Sequence, residues 1–141
     1  MKGYRKILIA LDGASREGVA EGLRLAKEER CWITVVKVVP PHEGDLDLVG
    51  IRNIDAVLDG GGAKAIEEVK GIAHAEGALI KTRLEAGEAH RKIVEVAEEE
   101  RCDLIIMGAQ KMKRGLRRLL GGSIVEKVIS NAPCPVLVVG K

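Results

Sequence analysis

The stretch Leu104–Val128, "LIIMGAQKMKRGLRRLLGGSIVEKV", decides the fold. It starts as an apolar run that ends at Gly108. It passes through a loop punctuated by glycine and positive charge, and closes as an amphipathic segment with Val125, Val128, Ile129 and then Ala132 on one stripe. A short continuous run of Leu and Ile is the mark of a strand covered on both faces. The next apolar run, "PVLVVG" (135–140), completes a strand–helix–strand unit, which demands parallel strands.

The same rhythm runs outward to the N-terminus. "KILIAL" (6–11), "WITVVKVV" (32–39), "LIKTRLEA" (79–86) and "DLIIMG" (103–108) read as strands. The third alternates more than the others, and Leu79, Lys81, Arg83 and Glu85 suggest a sheet edge. Helical spacing fills the gaps. Val19, Leu23 and Ala26 line one face of 16–29, and Ile66, Val69 and Ala73 one face of 63–76. Ala89, Ile93, Val96 and Ala97 line 88–100, with Glu98, Glu99 and Glu100 turned to water. A fourth helix spans 124–132. The order β-α-β-α-β-α-β-α-β predicts an α/β fold: a single doubly wound domain over 1–141, a five-stranded parallel sheet with helices on both faces. No internal repeat interrupts it.

One connection breaks the rhythm. "PPHEGDLDLVGIRNIDAVLDGGG" (40–62) is long for a link inside a compact domain, so it is expected to be a lid, a binding loop, a mobile segment or a tolerated surface insertion. Gly60, Gly61 and Gly62 read as a hinge.

Composition narrows the function. Hydrophobic residues make up 46% and charged residues 31%, as in a soluble globular chain. With no Phe, one Trp and one Tyr, the core must be aliphatic. Base-stacking platforms for nucleic acid have nothing to be built from, so a nucleic-acid partner is not expected. The 23 basic residues barely outnumber the 21 acidic ones. Yet five cations and no acid fall within 108–123: Lys111, Lys113, Arg114, Arg117 and Arg118. A basic loop on an acidic body points to a small anionic ligand, or else is a solvated loop. Cys31, Cys102 and Cys134 form no C-x-x-C and sit at no metal-ligand spacing from His42, His74 or His90, so no structural metal is expected. Each lies beside an apolar run, which suggests buried thiols in a reducing cytoplasm. "MKGYRKILIALDG" is too short in apolar length for a signal peptide or a membrane span.

In open α/β sheets ligands lie beyond the carboxyl ends of the strands. Asp12 ends the first strand. It suits a ribose hydroxyl or a base, and equally suits capping the first helix together with Ser15. Gly108 ends the fourth strand, where backbone can approach a ligand closely. Gly121, Gly122 and Ser123 then open a helix whose free N–H groups form an anion site. Ser123 and Glu126 also make an S-x-x-E capping box, and the two roles are compatible. The chain has no G-x-x-x-x-G-K-[ST], no G-x-G-x-x-G and no G-x-S-x-G. No general base or water-positioning residue can be named. No catalytic residue is therefore assigned, and at most a slow ATP hydrolase is expected.

Taken together, "KILIALDGASREGVAEGLRLA", "ITVVKVVP", "EAGEAHRKIVEVAEEERCDLIIMGA" and "LLGGSIVEKVISNAPCPVLVV" resemble the universal stress protein family over nearly the whole chain. The resemblance implies strand order 3-2-1-4-5 and a homodimer joined through the last strand, 135–139. An apolar strand with an open edge seeks a partner in any case. A subset of the family binds ATP or AMP through G-x2-G-x9-G-[ST]. Here Gly108 matches the first glycine and Gly122-Ser123 the last pair, but Lys111 stands at the second glycine and the loop is one residue longer. Gly115 is placed to supply the missing freedom, and Lys111, Lys113 and Arg114 to supply charge-assisted contacts. By resemblance, Ala10, Asp12 and Val38 would meet the adenosine, Met107 and Gly108 the ribose, and Gly122, Ser123 and Ile124 the phosphates. The implied cofactor is ATP or AMP, with or without Mg2+. The alternative is a stress protein that acts through protein partners or another anionic ligand.

Overall fold

A computed structural model of the protein describes residues 4–12, 14–28, 30–40, 62–108 and 124–139. The elements are β1 Lys6–Ala10, α1 Arg16–Glu28, β2 Trp32–Val39, α2 Lys64–Glu76, β3 Lys81–Ala86, α3 Ala89–Glu99, β4 Leu104–Gly108, α4 Ile124–Asn131 and β5 Val136–Val139. The five strands form one sheet in the order β3-β2-β1-β4-β5. Every pairing is parallel, with Ile7 opposite Ile33 on one side and Leu104 on the other. The expected architecture and strand order are those observed.

Alternation along β1 divides the core. Ile7 and Ile9 point to one face, where they meet Val19, Leu23 and Ala26 of α1 and Val69 and Ala73 of α2. Leu8 and Ala10 point to the other, against Ile93, Val96 and Ala97 of α3 and Val128 of α4. Both faces of the central strands are therefore dry, which is why those strands read as unbroken apolar runs. Leu23 and Ile93 are fully buried. Removing such a side chain from water is worth about 1.5–3 kcal/mol each. Gly22 lets α1 lie close to the sheet, since a Cβ there would stand 3.2 Å from Ile106 Cγ2. Ser15 precedes α1, and its Oγ accepts the Gly18 N–H at 3.0 Å. Such a cap contributes about 1 kcal/mol.

Three expectations change. β3 begins at Lys81 rather than Leu79, and Leu79 is 93% exposed. On α4 only Val128 is buried, whereas Ile129 is 54% exposed. Glu100 does not face water with Glu98 and Glu99. It folds back to Lys81 at 2.9 Å and Arg83 at 3.2 Å. Of the Gly60–62 hinge, only Gly62 is among the described residues. A Cβ there would press on Leu84 and Val39, so close packing is reason enough for a glycine. The remainder of 40–62, beyond Pro40 and Gly62, lies outside the described residues.

None of Cys31, Cys102 and Cys134 is joined in a disulfide. Cys102 is buried and Cys134 half-buried against the α3–α4 side of the core. Burial pushes the Cys102 thiol up to about 11 and raises that of Cys134. Both therefore stay protonated and unreactive at neutral pH. Cys31 Sγ donates to the Tyr4 carbonyl at 3.0 Å. Among the described residues, no helix is long and apolar enough to cross a membrane.

Candidate functional site

The sheet order places β1 between β2 and β4, so consecutive connections leave it toward opposite sides. A doubly wound sheet has its crevice at that reversal, outside the carboxyl ends of the strands. Here those ends are Ala10 of β1, Val38–Val39 of β2 and Met107–Gly108 of β4. Ala10 pairs with both Val36 and Met107.

Asp12 stands at this point and is only 8% exposed. Its Oδ2 accepts the Val38 backbone N–H at 3.2 Å. Its Oδ1 faces the Lys37 ammonium at 3.4 Å. A buried carboxylate needs such partners, because an unpaired one would be strongly disfavoured. The sequence left Asp12 divided between capping α1 and facing a ligand. In the structure Ser15 caps the helix and the Asp12 carboxylate turns to β2. Each oxygen keeps lone-pair capacity beyond the one contact described.

Ala10, Val38 and Met107 share one apolar cluster, and Ile124 packs against it from the start of α4. Ala10 and Met107 are essentially inaccessible, so within the folded chain they form a floor rather than a contact surface. Gly108 closes β4 opposite Val139. Five of the expected site residues, Ala10, Asp12, Val38, Met107 and Gly108, thus meet at one end of the sheet, with Ile124 beside them. Lys111, Gly115, Gly122 and Ser123 lie outside the described residues.

Lys37 was not singled out from the sequence. The signal was there, as a lone cation inside the otherwise apolar run "WITVVKVV". An ammonium in such a strand needs an anion, and Asp12 provides it. Among the described residues, no group of three or more His, Cys, Asp or Glu is arranged to hold a metal ion.

Sequence and structure comparisons accord with this geometry. The profile of the universal stress protein family matches residues 3–140. A universal stress protein of Methanocaldococcus jannaschii is 42% identical, over 98% of this chain and 83% of its own length. One from Synechocystis is 33% identical over 96% of this chain and 85% of its own. A solved universal stress protein in complex with cAMP superposes with a TM-score of 0.78 at 25% identity, covering 98% of both chains. With its profile match spanning almost every residue and its sheet order the same as the resemblance implied, the chain belongs to the universal stress protein family.

Proposed function

We propose that this protein is a stress-response module that binds an adenine nucleotide, ATP, ADP or AMP, in the crevice between the carboxyl ends of β1 and β4. The observation that carries the reading is the buried Asp12 carboxylate, seated at the reversal of strand order beside the Val38 N–H. A carboxylate with spare lone pairs suits ribose hydroxyls or an exocyclic amine. Ala10, Val38 and Met107 supply an apolar floor beneath the crevice rather than a contact surface, so the fit of the nucleoside end rests on Asp12. The phosphates would fall to Gly122, Ser123 and Ile124, with Lys111 and Gly115 in the loop before them, and Mg2+ would accompany a triphosphate. A relative solved with cAMP lends support, since it too carries an adenine nucleotide. Binding without turnover fits a site in which no general base is named, and a cytoplasmic location fits three cysteines without disulfides.

Calorimetric titration with ATP and Mg2+, alongside mass spectrometry of small molecules released from the denatured protein, tests the reading. Saturable heat is expected, and Asp12→Ala should weaken binding by about tenfold or more, the usual effect of removing a charged hydrogen-bond partner. Flat titrations with no copurified nucleotide would overturn it, and favour a partner protein or another anion at the basic loop.

For assembly we infer a homodimer through β5. Its support is an edge strand without charge, Val136–Val139, whose Val138 is 40% exposed.

A further inference from the structure

The opposite end of the sheet carries a second surface. Trp32 opens β2 and pairs with Lys6 at the start of β1, while Lys81 opens β3 opposite Thr34. Trp32, the chain's single tryptophan, is 77% exposed, and Leu79 beside it is 93% exposed. Two adjoining clefts share Trp32, Ile33 and Leu79. One of about 490 Å³ extends to Lys6, Lys81 and Glu100. The other, of about 320 Å³, extends to Lys27 and Arg30. A largely exposed indole next to an exposed leucine, inside concave surface, is the kind of apolar patch that marks an interaction site.

The charge around it is one-sided. Lys6, Lys27, Arg30 and Lys81 line the clefts against the single carboxylate of Glu100, which Lys81 and Arg83 already hold. Lys27 donates to the Glu76 carbonyl at 2.7 Å, a contact that leaves its charge unneutralised. Among the described residues, neither the Lys6 ammonium nor the Arg30 guanidinium forms an ion pair, although the Asp103 carboxylate accepts the Lys6 backbone N–H at 3.2 Å. Arg30 holds a left-handed backbone with φ of 54°, where glycine would be cheaper by about 1 kcal/mol. The chain keeps a cation there instead.

We propose that this surface docks an acidic protein segment, whose apolar side chains cover Trp32 and Leu79 and whose carboxylates meet Lys6, Lys27 and Arg30. Charge selects this occupant. A second copy of the chain would bring the same cations face to face, which costs affinity. The surface is independent of the nucleotide reading. β2 has eight residues, so Trp32 and Val39 stand roughly 23 Å apart at about 3.3 Å per residue.

Trp32 reports on its own burial. The full chain is titrated with a synthetic peptide of leucine and glutamate while tryptophan emission is followed, with the leucine–lysine counterpart, phosphatidylglycerol vesicles and protein dilution as parallel arms. The glutamate peptide should shift the emission to the blue saturably, and the lysine peptide should not. The double variant Lys6→Glu, Arg30→Glu should weaken the peptide by about tenfold or more, and added salt should weaken it further. Both side chains are exposed, so the variant's circular dichroism and melting should match wild type, which separates lost binding from lost folding. No shift with the glutamate peptide, an equal shift with the lysine peptide, or unchanged affinity in the double variant would overturn the proposal. A shift with protein concentration alone would assign the surface to a second copy, and a shift with vesicles only would assign it to a lipid surface. Either result also overturns it.

Discussion

At the β3 edge, Arg83 lies 2.8 Å from Glu85, 2.9 Å from Glu99 and 3.2 Å from Glu100, and Lys81 adds a contact to Glu100 at 2.9 Å. At the β5 edge, Val136–Val139 carry no charge at all. Both are outer strands of the same sheet, with one side's N–H and C=O groups unpaired by sheet neighbours. The first is blunted by charge that would have to be desolvated before another strand could pair with it. The second presents Val138 and has Ile129 close by in sequence, both exposed. The lesson is that exposure alone does not make an edge sticky. What decides is whether approach strands an ion.

The largest test of this contrast is to give β5 a charge. Val138→Asp should convert the proposed dimer to monomer, halving the mass seen by light scattering, because a carboxylate would be buried without a partner. A wild type that is already monomeric would break the comparison outright. Next, Arg83→Ala removes the cation shared by three carboxylates. Arg83 is partly exposed, and burial works against its charge, yet its hydrogen bonds to Glu99 and Glu85 hold it above its ordinary value. Loss of about 1–2 kcal/mol in urea unfolding is expected, discounted for solvent screening, with the oligomeric state unchanged. The smallest effect concerns acid. The hydrogen bond from Lys81 holds the Glu100 carboxyl below its ordinary value of 4.5. An acid lowered on folding contributes stability that is present above its unfolded value and lost as pH falls through the folded one. Wild type should therefore exceed Lys81→Gln slightly at neutral pH, and the gap should close as the solution is acidified below about 4.5. A constant gap across that window would show that packing, not charge, is what Lys81 contributes.

Most of the fold was legible because its signals are local and repeated. Val19, Leu23 and Ala26, like Ile66, Val69 and Ala73, sit at helical spacing and all are buried. The same rule failed at Ile129, since periodicity states which residues share a face but not whether anything covers it. It failed at Leu79 because apolar character alone does not extend a strand past its last paired residue. Glu100 escaped because its partners come from β3, distant in sequence. The site was legible in part. Glycine and aspartate at strand ends located the crevice, but only the fold could separate Asp12 from Ser15 and bring Lys37 to the carboxylate.

Asp103 carries a consequence for how the chain is made. Its carboxylate accepts the backbone N–H groups of Arg5 at 2.9 Å and Lys6 at 3.2 Å, across 98 and 97 residues of sequence respectively. β1 is the central strand and the first of the five to be made, while β4 on its far side follows only after β2 and β3. Until β4 is made, the nascent sheet can hold only β1, β2 and β3, with one flank of β1 bare and apolar. Parallel pairings between distant segments close slowly and expose such flanks to aggregation while they wait. The timing of birth, more than the finished architecture, is therefore where this chain is most vulnerable, and a late-arriving aspartate is what fastens its beginning.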